Sequence, residues 1–313
     1  MSRLSDLASS PMIREFAVGA AQQAVAPVAD FIAPTVNVAT PVGRYKEYTS
    51  KHRFKIPNTL RPVGGRAVEL GWTADDKTFN CAFNAIDYPI DIQEAMASED
   101  MENALQEAAV EAAEVGGLAH ETAVINAAVA ALSAQNKTWN AGADPIADLD
   151  AAVYTVMKAA KYGSLMGVRI VFGADAFKGL KNHPNVRNKF VVVAGGGSAA
   201  VPMSAINQGS IGELIVGVPE TRTSFMVADI SQEGETENVQ FLLSSKILVF
   251  ACRPSPTRRD PSFMKTFRLS NQWMVPGTYM RDDGRAEVAK FDWSEDVKVT
   301  NSAACVRLNV AAA

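Results

Sequence analysis

Cysteine and histidine are scarce in this chain, three of each in 313 residues. Cys81, Cys252 and Cys305 are widely spaced and odd in number. They make neither a disulfide framework nor a C-x-x-C metal pair, and they read as small core residues in a reducing cytosol. The histidines, His52, His120 and His183, have no partner at metal-ligand spacing. His120-Glu121 opens like a zincin motif, but Val124 stands where the second ligand must be. A Walker lysine and a G-x-S-x-G elbow are both absent. No apolar run reaches the ~18 residues of a membrane span. The charged start, MSRLSDLASSPMIREF, does not fit a signal peptide. These absences leave no catalytic residue, no cofactor, no metal and no membrane contact to expect.

One glycine-rich run needs separate treatment. Residues 191–200, VVVAGGGSAA, match a strand followed by G-x-G-x-x-A, the outline of a dinucleotide-binding turn. That mechanism needs a helix opening at the glycines, so that its N-terminus meets the pyrophosphate. Pro202 would fall inside the helix, where it removes a hydrogen bond and clashes. A surface loop is the better reading, and a soluble α/β nucleotide-binding enzyme is the weakest of the functions considered.

What is present is ample core material. Apolar residues make up 48% and charged residues 20%, which argues against a disordered chain. The formal net charge of −4 gives no global reason to expect tight nucleic-acid binding. Residues 1–40 are Ala-rich and punctuated by Pro11, Pro27 and Pro34. Apart from a possible short helix from Ile13 to Val25, they read as extended. Ordering such a segment costs ~1–2 kcal/mol per residue in backbone entropy, so it is either disordered or laid along a neighbour. Residues 44–85 read as a long hairpin around the Pro62–Gly65 turn. From Asp91 to about 133, Ala, Glu and Gln with an apolar stripe predict a long helix, capped by Asp91 and kinked or split at Gly116-Gly117. Asp144-Pro145 opens a second helix that ends at Gly163. A strand at 168–172, a helix at 175–182 and a strand at 190–193 follow, then strands at 211–218, 225–230 and 247–251. One or two last strands fall within 285–310. Asp75-Asp76 and Asp282-Asp283 read as solvated turns.

Charge is unevenly distributed. From Asp87 to Asn136 there are ten acidic residues and no Lys or Arg, whereas residues 44–80 hold eight basic residues against four acidic ones. Complementary surfaces between copies of one chain would use this asymmetry. The basic candidates are Lys46, Lys51, Arg53, Lys55, Arg61 and Arg66. The acidic ones are Glu94, Glu102, Glu107, Glu111 and Glu114. A solvated helix face and a hairpin kept soluble by its charges is the plainer alternative.

The order of these parts resembles the Hong Kong 97-type major capsid proteins of tailed double-stranded DNA phages. Local wording adds to the resemblance: 171–180 (VFGADAFKGL) with 183–190 (HPNVRNKF), then 246–254 (KILVFACRP) with 262–267 (SFMKTF), and the closing 285–310. The resemblance implies an α+β, Hong Kong 97-like capsid fold in five parts. These are an N-terminal arm (1–40), an extended β-hairpin loop (41–86), a peripheral domain with the spine helix (87–140), an axial domain (141–278) and return strands of the peripheral domain (279–313). It also implies a major capsid protein that self-assembles into pentamers and hexamers of an icosahedral shell. Such a shell encloses DNA without sequence-specific binding, in a virion assembled in the host cytoplasm. Its partners would be further copies, a portal and separate scaffolding or decoration proteins. An internal scaffolding segment is not expected, and no residue pair matches the Lys–Asn cross-link of some relatives. An encapsulin-like nanocompartment shell, built on the same fold, is the runner-up.

Overall fold

The computed structural model describes residues 28–48, 59–61, 63–67, 74–91, 93, 101–160, 167–193, 200–202, 206–231, 234–253, 255–258, 260 and 262–312. In chain order they form α1 (Ala29–Ile32), β1 (Thr35–Val38), β2 (Val42–Tyr48), β3 (Ala74–Asn80), β4 (Ala82–Asp91), α2 (Met101–Ala130), β5 (Ala134–Trp139) and α3 (Pro145–Ala160). Next come β6 (Gly167–Gly173), α4 (Ala174–Asn182), α5 (Pro184–Lys189), β7 (Val191–Val193), β8 (Ala200–Pro202), α6 (Gln208–Leu214), β9 (Glu220–Ser224), β10 (Val227–Asp229) and β11 (Val239–Phe241). The last strands are β12 (Lys246–Cys252), β13 (Met264–Leu269), β14 (Val275–Met280), β15 (Ala286–Val299) and β16 (Cys305–Ala312).

Two five-stranded sheets carry the fold. In the first, β15 pairs antiparallel with β4 along one edge and with β14 and then β13 along the other, and β1 joins β13 in parallel. In the second the order is β5-β16-β12-β6-β9. Its central strand β12 is buried from Ile247 to Cys252, which is why it reads as an unbroken apolar run.

Helix α2 ties the two cores together. Its 30 residues span about 45 Å. Ala108, Ala109, Ala112 and Ala113 pack with Phe291 and Trp293 of β15, small side chains letting helix and sheet approach closely. Further along, Val124, Ile125 and Ala128 enter the larger core with Leu149, Val153, Phe172 and Phe250.

Several expectations need correction. The Gly116-Gly117 pair does not split α2, which runs through both. Gly116 is a packing notch: a Cβ there would lie 1.7 Å from Met274 Cε. Asp91 ends β4 and, as expected of a helix cap, its carboxylate accepts from the N–H of the helical Gln93 at 2.7 Å; residues 94–100, between Gln93 and α2, lie outside the described residues. The expected strand at 211–218 is instead the end of helix α6, to Leu214, followed by a turn. Asn207 accepts from the Ser210 N–H while Ser210 Oγ accepts from the Asn207 N–H, a reciprocal cap that local β-propensity does not reveal. Asp75 and Asp76 lie in β3, not in a turn.

From residue 28 onward the arm is part of its own chain's core. Phe31, Ile32 and Val38 are buried, and β1 is paired to β13. The possible helix at Ile13 to Val25 lies outside the described residues. The expected boundaries after 140 and 278 do not coincide with the sheets. β5 lies in the second sheet, β13 lies in the first, and β16 stands between β5 and β12 rather than beside β15. The chain crosses between sheets after β12 and again after β15, and long-range pairing of this kind leaves no local signature.

Other expectations match. Asp144 caps α3, accepting from the Ile146 N–H at 3.1 Å, with Pro145 in the first turn. His183 caps α5 through Nδ1. The three cysteines are free and buried. β7 and β8 pair antiparallel, so residues 200–202, where a nucleotide-binding helix would run, are strand; the glycine run at 194–199 lies outside the described residues.

Candidate inter-subunit surfaces

The hairpin is built on the register Val42↔Asn80 to Tyr48↔Ala74. Its base rests on the first sheet: Phe79 stacks on Phe267 at 4.5 Å, and Tyr45 packs beside them. Cross-strand register also settles part of its charge. Lys46 Nζ lies 2.6 Å from Asp76 Oδ1, and this hydrogen bond holds the Asp76 carboxyl below its ordinary value. Lys77 reaches Glu47 at 3.6 Å. Lys46 is thus matched within its own hairpin. Beyond the stem, Arg61 Nε donates to the Gly65 carbonyl at 2.6 Å, across a turn in which Gly64 holds φ at +79°. Arg61 and Arg66 are exposed there, together with Leu60 and Val63. Lys51, Arg53 and Lys55 lie outside the described residues.

Helix α2 supplies the opposite charge. Glu107, Glu111 and Glu114 share its outer face with the half-exposed Val110 and Val115, away from the alanine stripe. Their spacing of four and three residues makes them neighbours on that face. None of the three forms an ion pair among the described residues, where the hairpin cations Lys46 and Lys77 pair with Asp76 and Glu47 instead. Glu94 and the side chain of Glu102 lie outside the described residues.

Two features escaped sequence reasoning. The first is the β10–β11 ribbon, three residue pairs in register from Val227↔Phe241 to Asp229↔Val239. Val227, Val239 and Phe241 share one face and are exposed, as is nearby Phe225 at 62%. A two-stranded ribbon with no core beneath it is marginal in water, so this one needs a surface to rest on. The alternation around 225–230 was visible, but nothing in it says that no partner strand or helix covers it.

The second is the pair His120-Glu121, dismissed above as a failed metal motif. Both residues are buried in the middle of α2. His120 Nδ1 lies 2.9 Å from Glu295 Oε1, and Arg268 donates to the other oxygen at 3.0 Å. Burial pushes Glu295 up, but the His120 hydrogen bond and the charges of His120 and Arg268 outweigh it and hold the carboxyl below its ordinary value. Glu121 has the reverse balance. Burial pushes it up to about 7, and a 2.8 Å hydrogen bond from the Ala29 N–H offsets only part of that. No group of three or more metal-ligating side chains occurs among the described residues.

No protein-family model matches the sequence, and no curated protein matches it. Solved structures do. A phage-related protein from Bordetella bronchiseptica RB50 superposes with a TM-score of 0.68 over 96% of both chains at 16% identity. The asymmetric unit of the bacteriophage PhiM1 mature capsid gives 0.53, covering 89% of this chain and 85% of that one at 13% identity. An encapsulin complex from Synechococcus elongatus PCC 7942 gives 0.51, covering 92% and 88% at 12% identity. The class that the architecture defines is α+β. Within it, the fold is the Hong Kong 97-type capsid fold.

Proposed function

We propose that this chain is the major capsid protein of a tailed double-stranded DNA phage, a subunit of a closed icosahedral shell built from pentamers and hexamers. One observation carries the reading. The likeness to the Bordetella phage-related protein covers 96% of both chains, and that to the PhiM1 capsid covers 89% of this one. In the proposed shell, the first sheet and the alanine-lined part of α2 make the peripheral domain, and the second sheet makes the axial domain. Arg61, Arg66 and the hairpin residues Lys51, Arg53 and Lys55 face Glu107, Glu111 and Glu114 of a neighbouring copy. A shell subunit of this kind works through its interfaces and has no reaction or cofactor of its own. Its further partners are a portal and separate scaffolding or decoration proteins. It resides in the virion and encloses DNA without reading its sequence.

An encapsulin-like nanocompartment is the second reading, favoured by the Synechococcus superposition. It is the weaker one, because the phage-related protein and the phage capsid both superpose with higher scores. Negative-stain microscopy with light scattering of the purified chain tests the shell itself. Closed particles of megadalton mass are expected. A protein that stays monomeric or dimeric under all assembly conditions refutes the reading.

A further inference from the structure

The arm's point of attachment suggests a control element that the shell reading does not require. Residues 28–38 form a strap across both sheets. At one end, Phe31 lies edge-on to Phe250, with the guanidinium of Arg169 4.6 Å and that of Arg222 4.4 Å from its ring centroid. Arg169 also donates to the Phe31 carbonyl at 3.1 Å. At the other end, β1 pairs with β13, and Thr266 Oγ1 donates to the Ala33 carbonyl at 3.0 Å. Every one of these contacts is indifferent to protons near neutral pH. The exception is at the start of the strap, where the Ala29 N–H donates to Glu121 Oε2 at 2.8 Å.

Glu121 is fully buried at 0% exposure, and its second oxygen, Oε1, is buried without a hydrogen-bond partner. A buried, half-satisfied carboxyl in a well-packed core calls for an explanation. The charged groups around it offer its ionised form no relief. Asp30, on the strap itself, is a like charge. His120 is adjacent on α2, but its ring is turned to Glu295 at 2.9 Å and to Asp30 at 3.9 Å. Arg268 of β13 is taken by Glu295 of β15. Arg169 of β6 and Arg222 of β9 are engaged by Glu220, at 3.4 Å and 3.5 Å. A single backbone N–H does not replace the hydration that an ionised carboxylate loses on burial.

We propose that Glu121 is a proton-linked latch: uncharged, it holds the strap of residues 28–38 seated across the two sheets, and ionised, it loosens that strap. The direction follows from linkage. The folded-state value, about 7, lies above the ordinary 4.5, so the stabilisation is fully present below the ordinary carboxylate range and is lost as pH rises through about 7. The inference holds whether or not the chain builds a shell. Its consequence is that the chain preceding residue 28 is anchored more firmly in mild acid than in mild base.

Hydrogen exchange on the full chain tests it, with the amides of residues 31–38 followed from about pH 4.5 to about pH 8.5 and corrected for the intrinsic rate. The expected result is protection that falls by roughly tenfold per pH unit, the slope of one proton, between the ordinary value of 4.5 and about 7, and is flat above that. Amides of β12 should not follow it. E121Q, which keeps the acceptor and cannot ionise, should give a flat profile. D30N removes the like charge and should move the fall to lower pH without abolishing it. A flat wild-type profile overturns the latch. So does a fall that persists in E121Q, or one that D30N abolishes while E121Q does not. If E121Q fails to fold, the wild-type strap profile set against β12 still decides.

Discussion

Replacing Asp260 by Asn tests the joint between the two sheets. The chain leaves the second sheet at Cys252 and enters the first at Met264, and the intervening loop is wound around one ion pair. Lys265 Nζ lies 3.1 Å from Asp260 Oδ2, and the two side chains are 0% and 1% exposed. The ammonium also donates to the carbonyls of Thr257, at 2.6 Å, and of Asp260. The carboxylate accepts from the Thr257 N–H at 2.6 Å and from the N–H and hydroxyl of Ser262. A buried pair gives little net stability relative to apolar residues of the same shape, because the desolvation of both ions offsets their attraction. Removing one partner is different, since it leaves a buried charge unpaired at a cost of about 3–5 kcal/mol. D260N does this, and its amide also turns a donor toward groups that are themselves donors. K265M removes the other partner and leaves two carbonyls orphaned at about 1–3 kcal/mol each, so a loss of similar size is expected.

The assay is urea unfolding of the dissociated subunit, read as a midpoint shift at constant slope. Against a typical domain stability of about 5–15 kcal/mol, D260N should take roughly a fifth or more of the total. The pH dependence adds a second check. Burial lowers the Lys265 pKa, and the charge of Asp260 is the largest contribution opposing it. Without Asp260 the folded-state value drops further, so the stability of D260N should recover as pH rises from about 7 toward the ordinary lysine value of 10.5. A D260N loss below about 1 kcal/mol, or one that does not shrink toward high pH, would refute the reasoning.

Two further outcomes are expected. In G173A the added Cβ would lie 2.1 Å from the Ser244 carbonyl oxygen and 2.4 Å from that of Leu243, both backbone atoms, so a loss near the upper end of the 1–3 kcal/mol range for overpacking should appear in thermal or urea unfolding. The double variant R61E/R66E, or separately E107K/E111K, should block assembly in sedimentation experiments while each subunit stays folded, and the combined variant should recover part of it. Unchanged assembly in either set would mean that these charges serve solubility alone.

Much of the fold was legible because local and global preferences agree. The cap Asp144-Pro145 and the buried run at 247–252 each carry a strong local signature, and both stand where expected. The misses came where a local pattern was overruled from elsewhere. Ile211 read as a strand residue, but the Asn207–Ser210 cap starts a helix that carries it into the core. Gly116-Gly117 read as a break because nothing in the sequence announces that Met274, more than 150 residues on, fills the space a side chain would take.

The candidate surfaces divide in the same way. The ten carboxylates and the basic hairpin are compositional facts, and the sequence alone determined that two opposite charges lie on separate elements. How they pair was visible only in the tertiary structure, which matches Lys46 to Asp76 in the hairpin and, among the described residues, gives Glu107, Glu111 and Glu114 no ion-pair partner. The arm shows the difference most clearly. Its composition permitted either disorder or a neighbour's surface, yet from residue 28 onward it lies in its own core. Parallel pairing with β13 and the Glu121 hydrogen bond join residues 92 to 233 positions apart in the sequence, and no local pattern encodes contacts at that range.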